Sequence, residues 1–294
     1  MSQPNSATFR FHEDAVLFRE AVSFTAAETA FAAQLIEKDY FCTVLLQYLE
    51  ARASSPLVFK GGTCLTKVHV GFYRLSEDLD FTIPTTEGTV RSERRKKAAV
   101  VKQSVLTLPE EISCFRVTGP LQGANNCTQY IGTVSYVSLL TGQEETIKIE
   151  VSLREALLTP IISGSARTVL LDPVSGAAML DTVLVRCLSK AEAMAEKFRA
   201  ALTRREPAIR DFYDIDHAIR KREVQHRDAE LIGLVQQKLT VLGNDRVDVS
   251  ANRLAALRQQ LNAHLRPVLR ERDLAEFDLD RAFAVVVEIA DAVR

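Results

Sequence analysis

Residues 75–83, LSEDLDFTI, alternate in a period of two: Leu79, Phe81 and Ile83 fall on one side, while Asp78, Asp80 and Thr82 fall on the other. Successive side chains of a strand point to opposite faces, so this stretch predicts a half-buried strand whose open face carries two carboxylates. A fold for this chain must therefore contain a sheet with one face packed and one acidic face open. Just upstream, residues 56–60 (PLVFK) read as a short buried strand. Gly61-Gly62 then supplies a turn in which the backbone takes positive φ and approaches a ligand closely. A helix over 63–70 returns the chain toward the acidic strand.

The rest of the chain supplies the layers around that strand. Residues 13–52 contain neither Gly nor Pro, and Phe31, Leu35, Tyr40, Val44 and Leu45 recur at roughly helical spacing, which predicts two helices. Residues 91–105 carry Arg91, Arg94, Arg95, Lys96, Lys97 and Lys102 and read as an exposed basic helix. Strands are expected over 114–118, 128–140 and 145–153, the last alternating Ile147, Ile149 and Val151 against Lys148, Glu150 and Ser152. After the Gly-, Ser- and Pro-containing stretch 160–177 the pattern reads as helical to the end. Ser189-Lys190-Ala191-Glu192 forms a capping box that opens a helix to about residue 202. The expected class is α+β, with N-terminal helices and the core sheet in 1–175 and a mainly helical lobe in 176–294.

With 294 residues, 47% of them apolar, the chain is long enough for one large domain or two lobes with a real core. A formal net charge of -1 excludes the strong overall basic field of a nucleic-acid coat protein, so any polyanion contact must come from local patches. Five scattered cysteines form no C-x-x-C, which points to neither a disulfide framework nor a zinc site. His69, His217, His226 and His264 show no ligand spacing with one another. There is no leader pattern at the N-terminus and no run of 18 apolar residues, so a cytoplasmic protein without membrane contact is expected.

The acidic strand has a chemical reading. Two carboxylates at i and i+2 can share divalent ions, and phosphoryl or nucleotidyl transfer uses such ions to hold the attacking and leaving oxygens. Glu150, on the open face of a neighbouring strand, is the best-placed third acid. Free N–H groups and the Thr63 hydroxyl at the start of the following helix suit phosphate oxygens, with Lys60, Gly61, Gly62 and Ser76 around them. Taken singly, a D-x-D is most often a solvated strand face and a G-G-T an ordinary turn; in this order they support each other. Farther on, Lys197 and Arg204 share a helical face, and Asp211 and Asp214 stand at i and i+3 of the next helix. A lysine in an acidic cleft neutralises phosphate charge and Asp211 serves as a base or positions the nucleophile; the alternative is a surface salt-bridge network between two helices, the plainer reading of the spacing alone. The sequence contains no G-x-S-x-G elbow, no Walker A motif and no G-x-G-x-x-G.

In order, KGGTCLTK (60–67), RLSEDLDF (74–81), IKIEVSLRE (147–155), AEKFRAAL (195–202) and RDFYDI (210–215) resemble the AbiEii family of nucleotidyltransferase toxins, as does the upstream helix IEKDYFCTVLL (36–46). The resemblance implies a DNA polymerase β-like nucleotidyltransferase fold with a mixed sheet, followed by a helical C-terminal lobe. It implies a type IV toxin with a cognate antitoxin protein, an NTP as substrate, Mg²⁺ or Mn²⁺ as cofactor, and a tRNA 3′ end or another RNA as acceptor. Carried over motif by motif, Gly62 and Thr63 match the phosphate turn and Asp78 and Asp80 the metal pair. Lys197 and Asp211 match the motif lysine and acid; Asp80, Lys197 and Asp211 are the expected catalytic residues. Glu150 matches a looser motif as the third metal ligand. Arg94, Arg95, Lys96 and Lys97, with Arg204, Arg205 and Arg210, are the candidates for RNA contact. Two other readings stay open at this point: nucleotidyl transfer to a protein or small molecule, and a non-catalytic nucleotide-binding interaction module. Preferred NTP and oligomeric state are not legible.

Overall fold

The computed structural model describes residues 10–53, 56–221 and 224–294. The N-terminal residues 1–9, where no leader pattern was read, lie outside the described residues. The first layer is helical. Helix α1 (Ala15–Thr29) is capped by Asp14, which accepts from Val16 N and Leu17 N, and ends at Ala30 in the left-handed region with φ 62. Helix α2 (Ala33–Ala53) follows, so both helices expected over 13–52 are present.

Strand β1 (Val58–Lys60) feeds helix α3 (Gly61–Cys64), which continues as π-helical turns over Leu65–Val70. Strand β2 (Leu79–Thr82) is shorter than the expected 75–83. Residues 75–78 approach it outside the ladder: Leu75 N donates to Val268 O, and Glu77 pairs with Lys38. The basic helix is present as α4 (Arg91–Glu111), followed by β3 (Phe115–Ala124), β4 (Gln129–Val137) and β5 (Glu144–Ser152).

Two strands then stand where the sequence reads as loop and helix, β6 (Ile162–Ala166) and β7 (Val183–Cys187). β6 is an Ile-Ser-Gly-Ser-Ala edge strand with one partner, so its composition looks like a loop. Helices α5 (Lys190–Thr203), α6 (Ile209–Arg220), α7 (Ala229–Leu239), α8 (Ala251–Gln260), α9 (Glu271–Glu276) and α10 (Leu279–Ala292) complete the chain. The sheet thus runs to Cys187, and the helical remainder starts with α5 rather than at residue 176.

Among the described residues the strands form one mixed seven-stranded sheet in the order β3-β4-β5-β2-β1-β7-β6. β1 pairs antiparallel with β2 and parallel with β7, while β2 and β5 are parallel. On one face Phe59, Phe81, Ile149 and Val151 join Phe18, Phe41, Leu45 and Val105 in the main core. A second core inside the helical lobe gathers Phe198, Phe212, Leu257 and Phe283, with Leu65 and Tyr73 reaching into it from the sheet side. Two motif segments are joined by a buried ion pair: Lys67 donates to Asp39 and Thr43, and Asp39 also accepts from Thr168 and Val169 N. This fixes α2 against the π turn. No helix among the described residues is long and apolar enough to cross a membrane.

Candidate active site

The register of β1, β2 and β5 sets Lys60 opposite Asp80 and Asp80 opposite Glu150. Directly paired residues point to the same side of a sheet, so these three side chains form a row across the face away from the main core. Gly61 has φ +76, and a Cβ there would lie 2.2 Å from Asp80 Oδ2. Only glycine allows both that backbone and the carboxylate lying over it. At Gly62 a Cβ would lie 2.4 Å from Arg74 Nη2 and 3.4 Å from Ser76 Oγ. The glycine pair is therefore wedged between an acid and an arginine.

Arg74 leads into the second half of the site. Its Nε donates to Asp214 Oδ1 at 2.6 Å and its Nη2 to Oδ2 at 2.8 Å, and Tyr73 Oη donates to Oδ1 at 2.9 Å. Lys197 Nζ lies 2.8 Å from both Asp211 Oδ1 and Asp214 Oδ2. The inter-helix ion-pair network that the spacing allows is present, but it is buried rather than at the surface, and Arg74 connects it to the glycine turn. Asp211 Oδ2 is buried and accepts no hydrogen bond from the described residues; Arg204 Nη1 stands 3.1 Å away outside hydrogen-bond geometry. Arg74 was not singled out from sequence. Its place in RLSEDLDF, two residues ahead of Ser76, was the available signal.

Charge in the row is unevenly compensated. Burial pushes the Asp80 carboxyl up to about 6, with Glu150's charge adding to the effect. Asp78, one residue ahead of β2, is also raised by burial, against the pull of Lys148. Burial would raise Glu150 too, but Lys148 at 2.8 Å and Gln129 at 2.7 Å donate to it and hold it below its ordinary value. In the other half, burial opposes the charges of Lys197 and Asp214, yet the partners prevail: Lys197 is raised by Asp211 and Asp214, and Asp214 is held well below the carboxylate range by Arg74 and Lys197.

Some expected residues have other duties. Thr63 is buried and its hydroxyl donates to the Asp78 carbonyl, so it positions the acid rather than presenting its proton to a ligand. Lys60 Nζ is 3.0 Å from Glu196 Oε2, which ties β1 to α5. Glu192 does not complete a reciprocal capping box. Ser189 caps α5, while Glu192 accepts from Leu158 N and Thr159 N and pairs with Lys238 at 2.7 Å. On α4, Arg95 and Lys96 are exposed, Arg94 donates to Asn126 O and Lys97 to Pro84 O. Arg210 donates to His264 O and lines a hollow of about 310 Å³ with His264 and Gln260. Arg205 is exposed and pairs loosely with Asp245 at 3.8 Å. Cys64, His69 and Cys187, which share no spacing in sequence, are brought together by the fold.

A family model described as "Nucleotidyl transferase AbiEii toxin, Type IV TA system" matches residues 44–286. No curated protein matches the chain. Among solved structures, the chain is similar to MenT4, nucleotidyltransferase toxin Rv2826c from Mycobacterium tuberculosis H37Rv, with a TM-score of 0.52 and 20% identity over 94% of this chain and 97% of that one. It is also similar to JHP933 from Helicobacter pylori, with a TM-score of 0.51 and 15% identity over 90% and 93% of the two chains. At these identities the likeness is one of fold, that of the polymerase β-like nucleotidyltransferases.

Proposed function

Since the chain belongs to the AbiEii family of nucleotidyl transferase toxins of type IV toxin–antitoxin systems, we propose that it transfers a nucleoside monophosphate from an NTP to the 3′ end of a tRNA, in the cytoplasm and under control of a cognate antitoxin. The observation that carries this reading is the placement of Asp80: its carboxylate lies over Gly61, in register with Glu150 and next to Asp78.

Those acids suit a hard divalent cation. Their donors are all oxygen, and burial together with the charge of Glu150, which raise Asp80, set a cost that a cation would relieve. Asp78 and Asp80 would hold Mg²⁺, or Mn²⁺ in its place, with Glu150 as the third ligand once Lys148 gives way. Bound there, the cation would neutralise charge on the phosphates and on the oxygens gained and lost at phosphorus.

The chain's own groups do the rest. The triphosphate rests against the partly buried Gly61 at the start of α3, with Gly62 buried behind it against Arg74 and Ser76. Lys197 uses two of its three N–H donors on Asp211 and Asp214, leaving one for a phosphate oxygen. Arg74 is committed to Asp214 and acts as a positioning residue. The acceptor hydroxyl oxygen bonds to the α-phosphorus as the bond from that phosphorus to the β-phosphate oxygen breaks, and pyrophosphate leaves. Asp211, whose Oδ2 accepts no hydrogen bond from the described residues, receives the hydroxyl proton.

The test incubates the purified chain with total RNA, Mg²⁺ and each α-labelled NTP in turn. Label in RNA of tRNA size, lost when the RNA 3′ diol is first oxidised with periodate, is the expected result. Label in protein alone would move the acceptor to a polypeptide, and label in nothing would favour a non-catalytic module.

A further inference from the structure

Three ligating side chains outside the acid row meet beside the glycine turn. The sulfurs of Cys64 and Cys187 and a ring nitrogen of His69 all lie within 4.8 Å of one another, with both cysteines fully buried and His69 partly so. They come from separate elements: Cys64 closes α3, His69 lies in the π turns and Cys187 ends β7.

Local geometry explains the convergence. In an α-helix, residues five apart stand about 140° apart around the axis, which would hold Cys64 and His69 on different faces. The π winding over Leu65–Val70 follows an i→i+5 pattern and turns residue 69 back toward residue 64. His69 Nε2 lies 3.0 Å from the Leu188 carbonyl oxygen. A carbonyl only accepts, so Nε2 carries a hydrogen there, and in the neutral ring Nδ1 keeps its lone pair. Donation of the second ring N–H to a backbone carbonyl is the arrangement of a metal-bound histidine. Gly164 of β6 makes room: a Cβ there would stand 2.9 Å from Cys187 Sγ and 2.5 Å from Val68 Cγ1.

We propose that Cys64, His69 and Cys187 form a zinc site, separate from the oxygen-donor row. Two thiolates and one neutral imidazole carry two negative charges, which Zn²⁺ brings to zero, as a buried site requires. Monovalent copper would leave a net negative charge, and Mg²⁺ takes oxygen ligands. Tetrahedral zinc places sulfur and nitrogen ligands about 3.5–3.8 Å apart, so the three groups, already within 4.8 Å of one another, need to close by at most about 1.3 Å through side-chain rotation, and a water fills the fourth position. The bound ion would clamp the helix that begins at Gly61 to the end of β7.

The reduced, full-length chain is titrated with Zn²⁺ against a chromophoric chelator, and its Co²⁺ form is examined by absorption. The expected result is one equivalent per chain, with thiolate-to-cobalt charge transfer and the intense bands of tetrahedral cobalt. Cys187→Ser and His69→Gln should lose that equivalent, while Asp78→Asn keeps it; far-ultraviolet circular dichroism verifies the fold of each variant. Absence of both signals in folded, reduced wild type would overturn the site. So would a Cys64–Cys187 disulfide in its place, or full retention of zinc by a folded Cys187→Ser.

Discussion

Arg74 and Asp214 form a two-pronged ion pair, Nε to Oδ1 at 2.6 Å and Nη2 to Oδ2 at 2.8 Å, with side chains 2% and 0% exposed. That carboxylate joins the turn under Gly62 to the lobe that carries Lys197. Removing one partner of a buried pair leaves the other charge without compensation, at a cost of about 3–5 kcal/mol. Arg74→Ala should lower unfolding stability by that order in urea titration. Arg74→Lys should recover only part of it, because an ammonium cannot reproduce the fork.

Gly61 and Gly88 both have positive φ, +76 and +80, but only Gly61 has a neighbour in the way. A left-handed backbone with a Cβ costs about 1–2 kcal/mol. Gly88→Ala should show that cost in thermal unfolding and keep transfer activity. Gly61→Ala should cost more and eliminate transfer, because its Cβ overlaps Asp80 Oδ2. Equal effects of the two substitutions would remove the case for close approach.

Acid stability follows from depressed carboxyls. Burial alone would raise Glu196, but Lys60, Lys238 and Arg199 bring it to about 2, and Asp214 is likewise held low. Groups depressed on folding contribute stability that is present above their unfolded pKa, about 4, and is lost as pH falls through the folded value. The urea midpoint should therefore fall between about pH 4 and 2, and Glu196→Gln should flatten that slope. Asp80 has the opposite sign: raised to about 6, it contributes fully below its unfolded pKa and loses that contribution as pH rises through about 6. Asp80→Asn should consequently raise the midpoint at pH 7 in chelator.

Arg95 and Lys96 are exposed on the first turns of α4. If they contact an RNA backbone, changing both to Ala should weaken binding and reduce the slope of log K against log salt by about 1.4–1.8. Anisotropy titrations of labelled RNA at several salt concentrations measure both. An unchanged slope would remove α4 from the RNA path.

The acidic face was legible because period-two alternation through Leu79, Asp80 and Phe81 survives any change in the rest of the fold. Helical spacing made the Lys197–Asp211 ion pair legible but favoured a surface network; its burial was not legible. Arg74 escaped because its partner, Asp214, lies 140 residues away and nothing local signals an internal guanidinium. β6 escaped because an edge strand with one neighbour tolerates Gly and Ser, and β7 because its short apolar run, Val-Leu-Val-Arg-Cys, sits just ahead of α5 and periodicity does not separate it from a buried helix segment. Cys64, His69 and Cys187 converge through π winding and a parallel strand pairing, neither of which leaves a spacing rule in the chain.

The proposed transfer depends on the Asp80 row and on a divalent cation held there. Incorporation of α-labelled NTP into RNA, with wild type and Asp80→Asn side by side in the same Mg²⁺, separates the row from any other source of activity. Label is expected with wild type, none when Mg²⁺ is chelated, and none with an Asp80→Asn chain whose circular dichroism is unchanged. Undiminished labelling by the folded Asp80→Asn chain would remove the row from the reaction.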